Sequence, residues 1–298
     1  MSAHDFKVVY DAPMQVGECP LWSPAEQAIY WVDINGFTVH RVKPSTGEHR
    51  EWRFDSEPAT LALHAQGGLV VALRRGFVHL DTDTGAVTDI AGAPYDTATA
   101  RFNDGHVDAA GRFWVGTIFE PRDRLAAEMY CLEQGVVKLK WSGGVMNSNG
   151  LGFAPDNSVM YHADTAGHRI NRYRFDLETG TASDVALFQQ FDSDKKAPNY
   201  GGRPDGAAVD SEGGYWIAMF EGGRLLRFAP SGEQLDEIKL PLRCPTMMAF
   251  GGDDLRTLFI TSASHGRSAE ELQQYPLSGR VLSVRVDVAG RAEHIYRP

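Results

Sequence analysis

Short apolar runs recur along the whole chain, separated by clusters of Gly, Pro, Asn and Asp. The runs AIYWVD, FTVHRV, GLVVAL, FVHLD, RFWVG, LLRFA, TLFITSA and VLSVRVD are rich in β-branched and aromatic residues. Many alternate apolar and polar positions, the period of a half-buried strand, and no segment carries a convincing amphipathic helical period. Two kinds of turn punctuate them. One follows the opening run of each repeat, as in Ser23-Pro-Ala-Glu, Asp108-Ala-Ala-Gly and Asp210-Ser-Glu-Gly-Gly. The other comes later, as in Pro44-Ser-Thr-Gly, Leu177-Glu-Thr-Gly and Pro230-Ser-Gly. Such residues supply the backbone angles of tight turns, so these are hairpin signals with a mechanism.

Strands and turn signals return together about every 40 to 55 residues, roughly six times, which is the periodicity of a propeller. The expected fold is all-β: a six-bladed β-propeller of four-stranded blades, one domain over residues 1–298, with blades at about 15–57, 58–98, 99–145, 146–197, 198–242 and 243–298. The leading FKVVY and the trailing EHIYR are expected to meet in the last blade and close the ring, which removes exposed strand edges. Three segments exceed the repeat, at 120–129, 188–203 and 265–279. Extra loops on a rigid scaffold can wall a substrate site.

Aligned repeat by repeat, four polar residues occupy one position ahead of the opening apolar run: Glu18, Asn103, Asn149 and Asp205. In a radial fold they converge on one channel mouth. Thr60 and Pro245 stand near the equivalent positions of blades two and six and offer weaker ligands or none. Two carboxylates and two amides make a hard oxygen set, which suits a divalent cation and balances its charge. Such a set discriminates poorly among Ca²⁺, Mg²⁺, Mn²⁺, Zn²⁺ and Fe²⁺. Each residue also has a plain reading, since Asn149-Gly150, Asp205-Gly206 and Asn103-Asp104-Gly105 could be ordinary turns. Recurrence at one position in four repeats argues for a site.

Composition narrows the function classes. The 298 residues are 43% hydrophobic and 23% charged, an ordinary globular balance. The net charge of −10 disfavours nucleic acid as a partner. No apolar stretch is long enough to span a membrane, and the first residues show no basic-then-apolar leader, so a cytoplasmic chain is expected. Cys19, Cys131 and Cys244 are odd in number and far apart, which fits reduced thiols, and Cys19 reads as a small buried hydrophobe. There is no GxSxG, HExxH, GxxxxGK[ST] or post-strand GxGxxG motif. The ten histidines have no metal-ligand spacing. His40, His79 and His162 read as packed or surface residues, and His106 and His168 are not expected to be catalytic.

The stretches GECPLW, RFNDGHVDAAGRFWVGT, SNGLGF, RPDGAAVDSEGGYWIA and FGGDDLRTLFITSA run in order through most of the chain. On these, the chain resembles the SMP-30/gluconolactonase/LRE-like family. The resemblance implies a six-bladed propeller and hydrolysis of a sugar aldonolactone, a small-molecule cyclic ester, to its aldonic acid. It implies Glu18, Asn149 and Asp205 as ligands of one divalent metal ion, Arg101 and Asn103 as substrate contacts, and Asp205 as the catalytic base. Glu120 is a further substrate contact, although GTIFEPRD departs from the usual run. Either Asp205 or the cation could activate the water. Two other readings stay open: another ester or phosphoester hydrolase on the same scaffold, and a non-catalytic calcium-binding propeller. The preferred lactone, the native ion and the oligomeric state are not readable.

Overall fold

A computed structural model describes residues 4–298. Six four-stranded antiparallel sheets form the six expected blades. Their innermost strands are Gly17–Ser23, Pro58–Leu63, Ala100–Val107, Ser148–Phe153, Arg203–Val209 and Pro245–Gly251. Each of these touches the innermost strands of the blades on both sides, so the ring is shut.

The hydrophobic pattern explains the layering. The second strands Ala28–Asp33 and Phe113–Phe119 are buried at every position, because both faces of a blade pack on neighbours. The outermost strands, such as Val136–Ser142 and Gln234–Lys239, are mostly exposed, and Val136, Leu139 and Leu235 stand apolar at the surface there. Apolar side chains gather into six cores, one between each pair of adjacent blades. The aromatic-rich runs fill them. Trp22 of blade one stacks on Phe259 of blade six at 5.3 Å. Trp114 of blade three meets Phe175 of blade four edge-on at 5.6 Å, and Trp216 of blade five meets Phe250 of blade six at 6.0 Å.

The repeated VDAAGRFW and VDSEGGYW stretches make the same bonds in two blades. Asp108 accepts from Trp114 Nε1 and Asp210 accepts from Trp216 Nε1, each at 2.8 Å. Arg112 and Arg227 donate to the same two carboxylates at 2.6 and 2.7 Å. Each buried indole N–H is thereby satisfied by a carboxylate that is itself neutralised.

Only one of the two terminal segments joins the last blade. Lys7–Tyr10 pairs antiparallel with Val281–Arg285 and completes the sheet begun by Pro245–Gly251 and Thr257–Ser262. EHIYR does not enter that blade, contrary to expectation, because all four strand places are already taken. It runs instead across the end of the ring opposite the inner-strand starts. Ser211 N donates to Ala289 O at 3.0 Å and Gly290 N to Leu255 O at 2.7 Å. Tyr296 then bridges in parallel to His64 of blade two, and Arg297 N donates to Gly111 O of blade three at 2.9 Å. The 265–279 loop also holds a six-residue helix, Ala269–Gln274, capped by Ser268. It is too short to leave a readable helical period. No helix among the described residues is long and apolar enough to cross a membrane.

Tyr296 is fully buried in the core between blades two and three, and its hydroxyl accepts from Gly135 N at 3.0 Å. Tyr296→Ala should therefore destabilise the protein by about 3 kcal/mol through the cavity it leaves, a drop on the order of 6–12 °C in Tm. Thermal unfolding checks this. A drop below about 2 °C would show that the tail is not a structural clasp.

Candidate active site

A cavity of about 410 Å³ opens at the end of the ring where the inner strands begin, and Glu18, Arg101, Asn103, Glu120, Asn149 and Asp205 all line it. Strand bulges aim these side chains. In blade one the pairing steps from Glu18–Val32 to Leu21–Tyr30, so two residues face one. The same two-for-one step occurs between Phe102 and Gly105, Asn149 and Gly152, and Pro204 and Ala207. A bulge re-aims a side chain and bends the strand. Asn149-Gly150 and Asp205-Gly206 are therefore mid-strand bulges and not hairpin turns. Gly150 sits at φ 57°, where a Cβ would lie 2.6 Å from the Tyr215 hydroxyl. A Cβ on Gly206 would lie 2.5 Å from Met247 of the next blade.

Blades two and six differ. Their inner strands also carry one extra residue, between Pro58 and Thr60 and between Pro245 and Met247, but place no carboxylate or amide at the mouth. Thr60 turns away from the mouth and donates to Cys19 Sγ at 3.1 Å. In blade six, Thr246 lines the cavity in place of Pro245. Cys19 is buried, and burial pushes its thiol up to about 12, so it is an inert packing residue as expected.

Side-chain hydrogen bonds hold the strand entries. Asp33 accepts from Gln15 N and Val16 N at 2.9 Å, which pins the start of the strand carrying Glu18. Asn103 spends its whole side chain on neighbours. Its Oδ1 accepts from Arg101 Nη1 at 2.8 Å, and its Nδ2 donates to Asn149 Oδ1 at 2.7 Å and to Ser148 O at 2.9 Å. Asn149 Nδ2 donates in turn to Thr165 Oγ1 at 2.6 Å. This turns Asn149 Oδ1 and its free lone pair toward the cavity side of the network.

Glu120 is gripped by Arg74, with Nη1–Oε2 and Nη2–Oε1 distances of 2.9 and 2.8 Å. That bond first, and the Arg74 charge, hold its carboxyl below the usual value. Arg74 also donates to Glu57 at 2.9 Å, while Arg101 Nε lies 3.6 Å from Glu120. The carboxylates behave differently. Glu18 accepts only from Cys19 N, at 3.1 Å, and Asp205 has no side-chain hydrogen bond or ion pair among the described residues. Burial, then the charges of Asp205 and Asp104, raise Glu18 well above its usual value. Burial chiefly, with Arg203 opposing and Asp104 adding, pushes Asp205 up to about 8. Asp104 lies deeper and is pushed up to about 6 by burial, despite accepting from Gly105 N and Leu151 N at 2.7 and 3.1 Å.

Several lining residues escaped the repeat alignment. Arg203 is the easiest in hindsight: it stands two positions before Asp205, on the same face of a strand with period two. Arg74 follows a strand of blade two, and no repeat position marks it. Asp104 was hidden as a turn residue. Of the long loops, 120–129 contributes Glu120 and Arg122, and 265–279 contributes His265. His106 and His168 do not line the cavity: His106 pairs with Glu293 at 2.8 Å, and His168 meets the Tyr200 hydroxyl at 3.0 Å. His40 stacks on Trp31, His79 bonds Gly67 O, and His162 bonds Ser148 Oγ.

The profile of the SMP-30/Gluconolactonase/LRE-like region matches residues 16–264. A 6-deoxy-6-sulfogluconolactonase of Pseudomonas putida is 46% identical, over 97% of this chain and 98% of that protein. Regucalcin of Xenopus laevis is 30% identical over 95% of both. The crystal structure of a calcium-binding protein, regucalcin, from Agrobacterium tumefaciens covers 100% of both chains with TM-score 0.92 at 26% identity. The chain belongs to the SMP-30/gluconolactonase/LRE-like family.

The raised Asp205 value has a consequence for stability. Its folded pKa of about 8 exceeds an unfolded value near 3.9, so the folded state holds the extra proton between them. Stability from this group is complete below about pH 4 and is lost as pH rises towards about 8. In chelator, Tm should fall from pH 5 to pH 8 more steeply for the wild type than for Asp205→Asn, whose amide does not titrate. Parallel Tm–pH curves for the two proteins would refute the assignment.

Proposed function

We propose that this family member opens sugar lactones to aldonic acids, with a divalent cation held by Glu18, Asn149 and Asp205. One observation carries the reading: three oxygen donors from blades one, four and five meet in a single cavity beside Arg101. The donor set fits a hard dication. Two buried carboxylates, both raised by burial and by the charge of Asp104, have no cationic hydrogen-bond partner among the described residues, which favours a bound cation. The description of the A. tumefaciens structure as calcium-binding makes Ca²⁺ the first ion to test.

When bound, the ion supplies Lewis acidity to the lactone carbonyl and steadies the charge that develops on its oxygen. The protein's own groups do the rest. Water adds to the carbonyl carbon, and Asp205 accepts its proton. The ring C–O bond then breaks, and the ring oxygen leaves with a proton as a hydroxyl. The net products are an aldonate and a proton, so turnover acidifies the solution. Arg101 keeps N–H groups free of Asn103 and offers them to sugar hydroxyls, fixing the ring. Asn103 acts through others: it orients Arg101 on one side and Asn149 on the other. Glu120, locked by Arg74, adds an acceptor for a hydroxyl.

The substrate panel follows from this chemistry and from the name of the P. putida relative: pentono- and hexonolactones, including a 6-sulfonated hexonolactone, against aryl esters and phosphoesters. The assay is pH-drop on chelated and metal-restored protein. Lactones should turn over only after metal is restored, and the esters should be slow. Asp205→Ala should lose both metal binding, read by calorimetry, and turnover, by at least about 10³-fold. Arg101→Ala should keep the metal and lose about 10–100-fold in turnover. Near-wild-type lactone opening by Asp205→Ala in added metal would reject this site. Metal binding without opening of any lactone would favour the non-catalytic reading.

A further inference from the structure

Two arginines of the cavity, Arg122 and Arg203, donate no side-chain hydrogen bond among the described residues, and of the two only Arg203 is partly buried. Arg74 is committed to Glu57 and Glu120. Arg101 is committed in part to Asn103 and to Phe102 O. Arg203 donates no side-chain hydrogen bond among the described residues, and its Nε is buried without a partner. Its nearest carboxylate oxygen is Glu221 Oε2, 3.5 Å from Nε and outside hydrogen-bond geometry. Glu221 is already served by two other cations: Lys195 Nζ donates to Oε2 and Arg267 Nη1 to Oε1, both at 3.1 Å. The Arg203 guanidinium is nonetheless held in place, lying over the Phe220 ring at 5.1 Å. It sits on the cavity wall two residues before Asp205, at the start of the same strand.

A fixed guanidinium with donors to spare is built to take an anion, and planar N–H pairs match sulfonate, phosphate and carboxylate oxygens. The surroundings agree. Behind that wall, Lys195, Arg203, Arg243 and Arg267 gather about the carboxylates Glu221 and Glu271, and of these four cations Arg203 is the one that lines the cavity. This patch is cationic in a chain of net charge −10.

We propose that Arg203 binds an anionic substituent on the substrate, so that the preferred lactone is acidic, bearing a sulfonate, phosphate or carboxylate away from its carbonyl. This rests on the lactonase reading of the same cavity and deepens it. Arg203 is then a specificity residue. Its charge also opposes the rise of Asp205, so a rival role, steadying Asp205, makes a different prediction: loss on every lactone alike.

The test compares glucono-1,5-lactone with its 6-sulfonate and 6-phosphate analogues on wild type, Arg203→Gln, Arg203→Lys and Arg122→Gln. Arg122 also lines the cavity but is exposed, so its charge is more screened. The wild type should prefer at least one charged lactone by about tenfold or more in kcat/KM. Which of the two charged lactones is preferred identifies the anion. Arg203→Gln should lower the charged-to-neutral ratio by at least about tenfold, mainly through KM. Arg203→Lys should recover part of it, and Arg122→Gln should move it less. A ratio within about twofold of wild type in Arg203→Gln, or a collapse in Arg122→Gln alone, overturns the proposal. A second arm needs no turnover: calorimetry of gluconate against 6-phosphogluconate and 6-sulfogluconate, which share the C1 carboxylate. Tighter wild-type binding of a 6-substituted acid, lost in Arg203→Gln, supports the subsite even if no lactone is opened. Equal binding of all three acids by the wild type overturns it.

Discussion

The site exists only because the ring is shut. Glu18 belongs to the first blade and Asp205 to the fifth, so the span between them on one side is blade six alone. That blade is welded to both. Thr246 Oγ1 donates to Gly17 O at 2.5 Å, next to Glu18, and Gly206, next to Asp205, packs so close to Met247 that no Cβ would fit. The outer edge of the same blade is the Lys7–Tyr10 strand, which brings the start of the chain back to its end. Local unfolding of the closing blade would expose two apolar cores and release both carboxylates together.

Closure sets up an electrostatic problem that the protein solves only in part. Glu18, Asp205 and Asp104 crowd one channel with little solvent to screen them. The backbone amides of Cys19, Gly105 and Leu151 offset some of the charge. Around the other half of the mouth the charges alternate: Glu57, Arg74, Glu120 and Arg101 are joined in sequence, and Arg101 continues through Asn103 to Asn149. That arc is internally compensated and rigid. The carboxylate pair is not, so a fixed arc stands beside an unneutralised pair, which is the asymmetry on which the proposed cation and substrate pocket rests.

Much of this was written in the sequence, and the exceptions have physical causes. The blade count was legible because turn chemistry and strand period repeat, and because the strands of one blade follow one another along the chain. The mouth residues were legible because radial symmetry turns equal repeat position into equal place in space. EHIYR failed on that same logic: its alternation reads as a strand, but a strand needs a vacant edge, and Lys7–Tyr10 had filled it. Thr60 and Pro245 supply no ligand, as expected: Thr60 is spent on Cys19 Sγ, and Thr246, one residue after Pro245, is the one that lines the cavity, because neighbouring strand positions face opposite ways. Asp104 was invisible because NDG is as good a turn as it is a bulge. Arg74 was invisible because its partner, Glu120, belongs to a different blade, and pairings across blades leave no periodic trace.

The layout of charge along the cavity orders a substrate from head to tail. Glu18 and Asp205 line the cavity together, and Arg203, which donates no side-chain hydrogen bond among the described residues, stands on its wall in blade five. Over distances beyond roughly 8 Å the net charge of the whole chain is screened at physiological salt. An incoming anion therefore responds to the local rim, not to the chain's overall −10. On the proposed reading, a neutral sugar ring is placed by its carbonyl and by hydrogen bonds at Arg101 and Glu120, with no ionic contact for its other end. A charged tail would be drawn to Arg203 and kept off Glu18 and Asp205, which leaves the ester end facing the acidic pair. Orientation of that kind lowers the entropy cost of reaching the reactive pose. It needs no extra loop, only an arginine two residues upstream of Asp205, on the same strand.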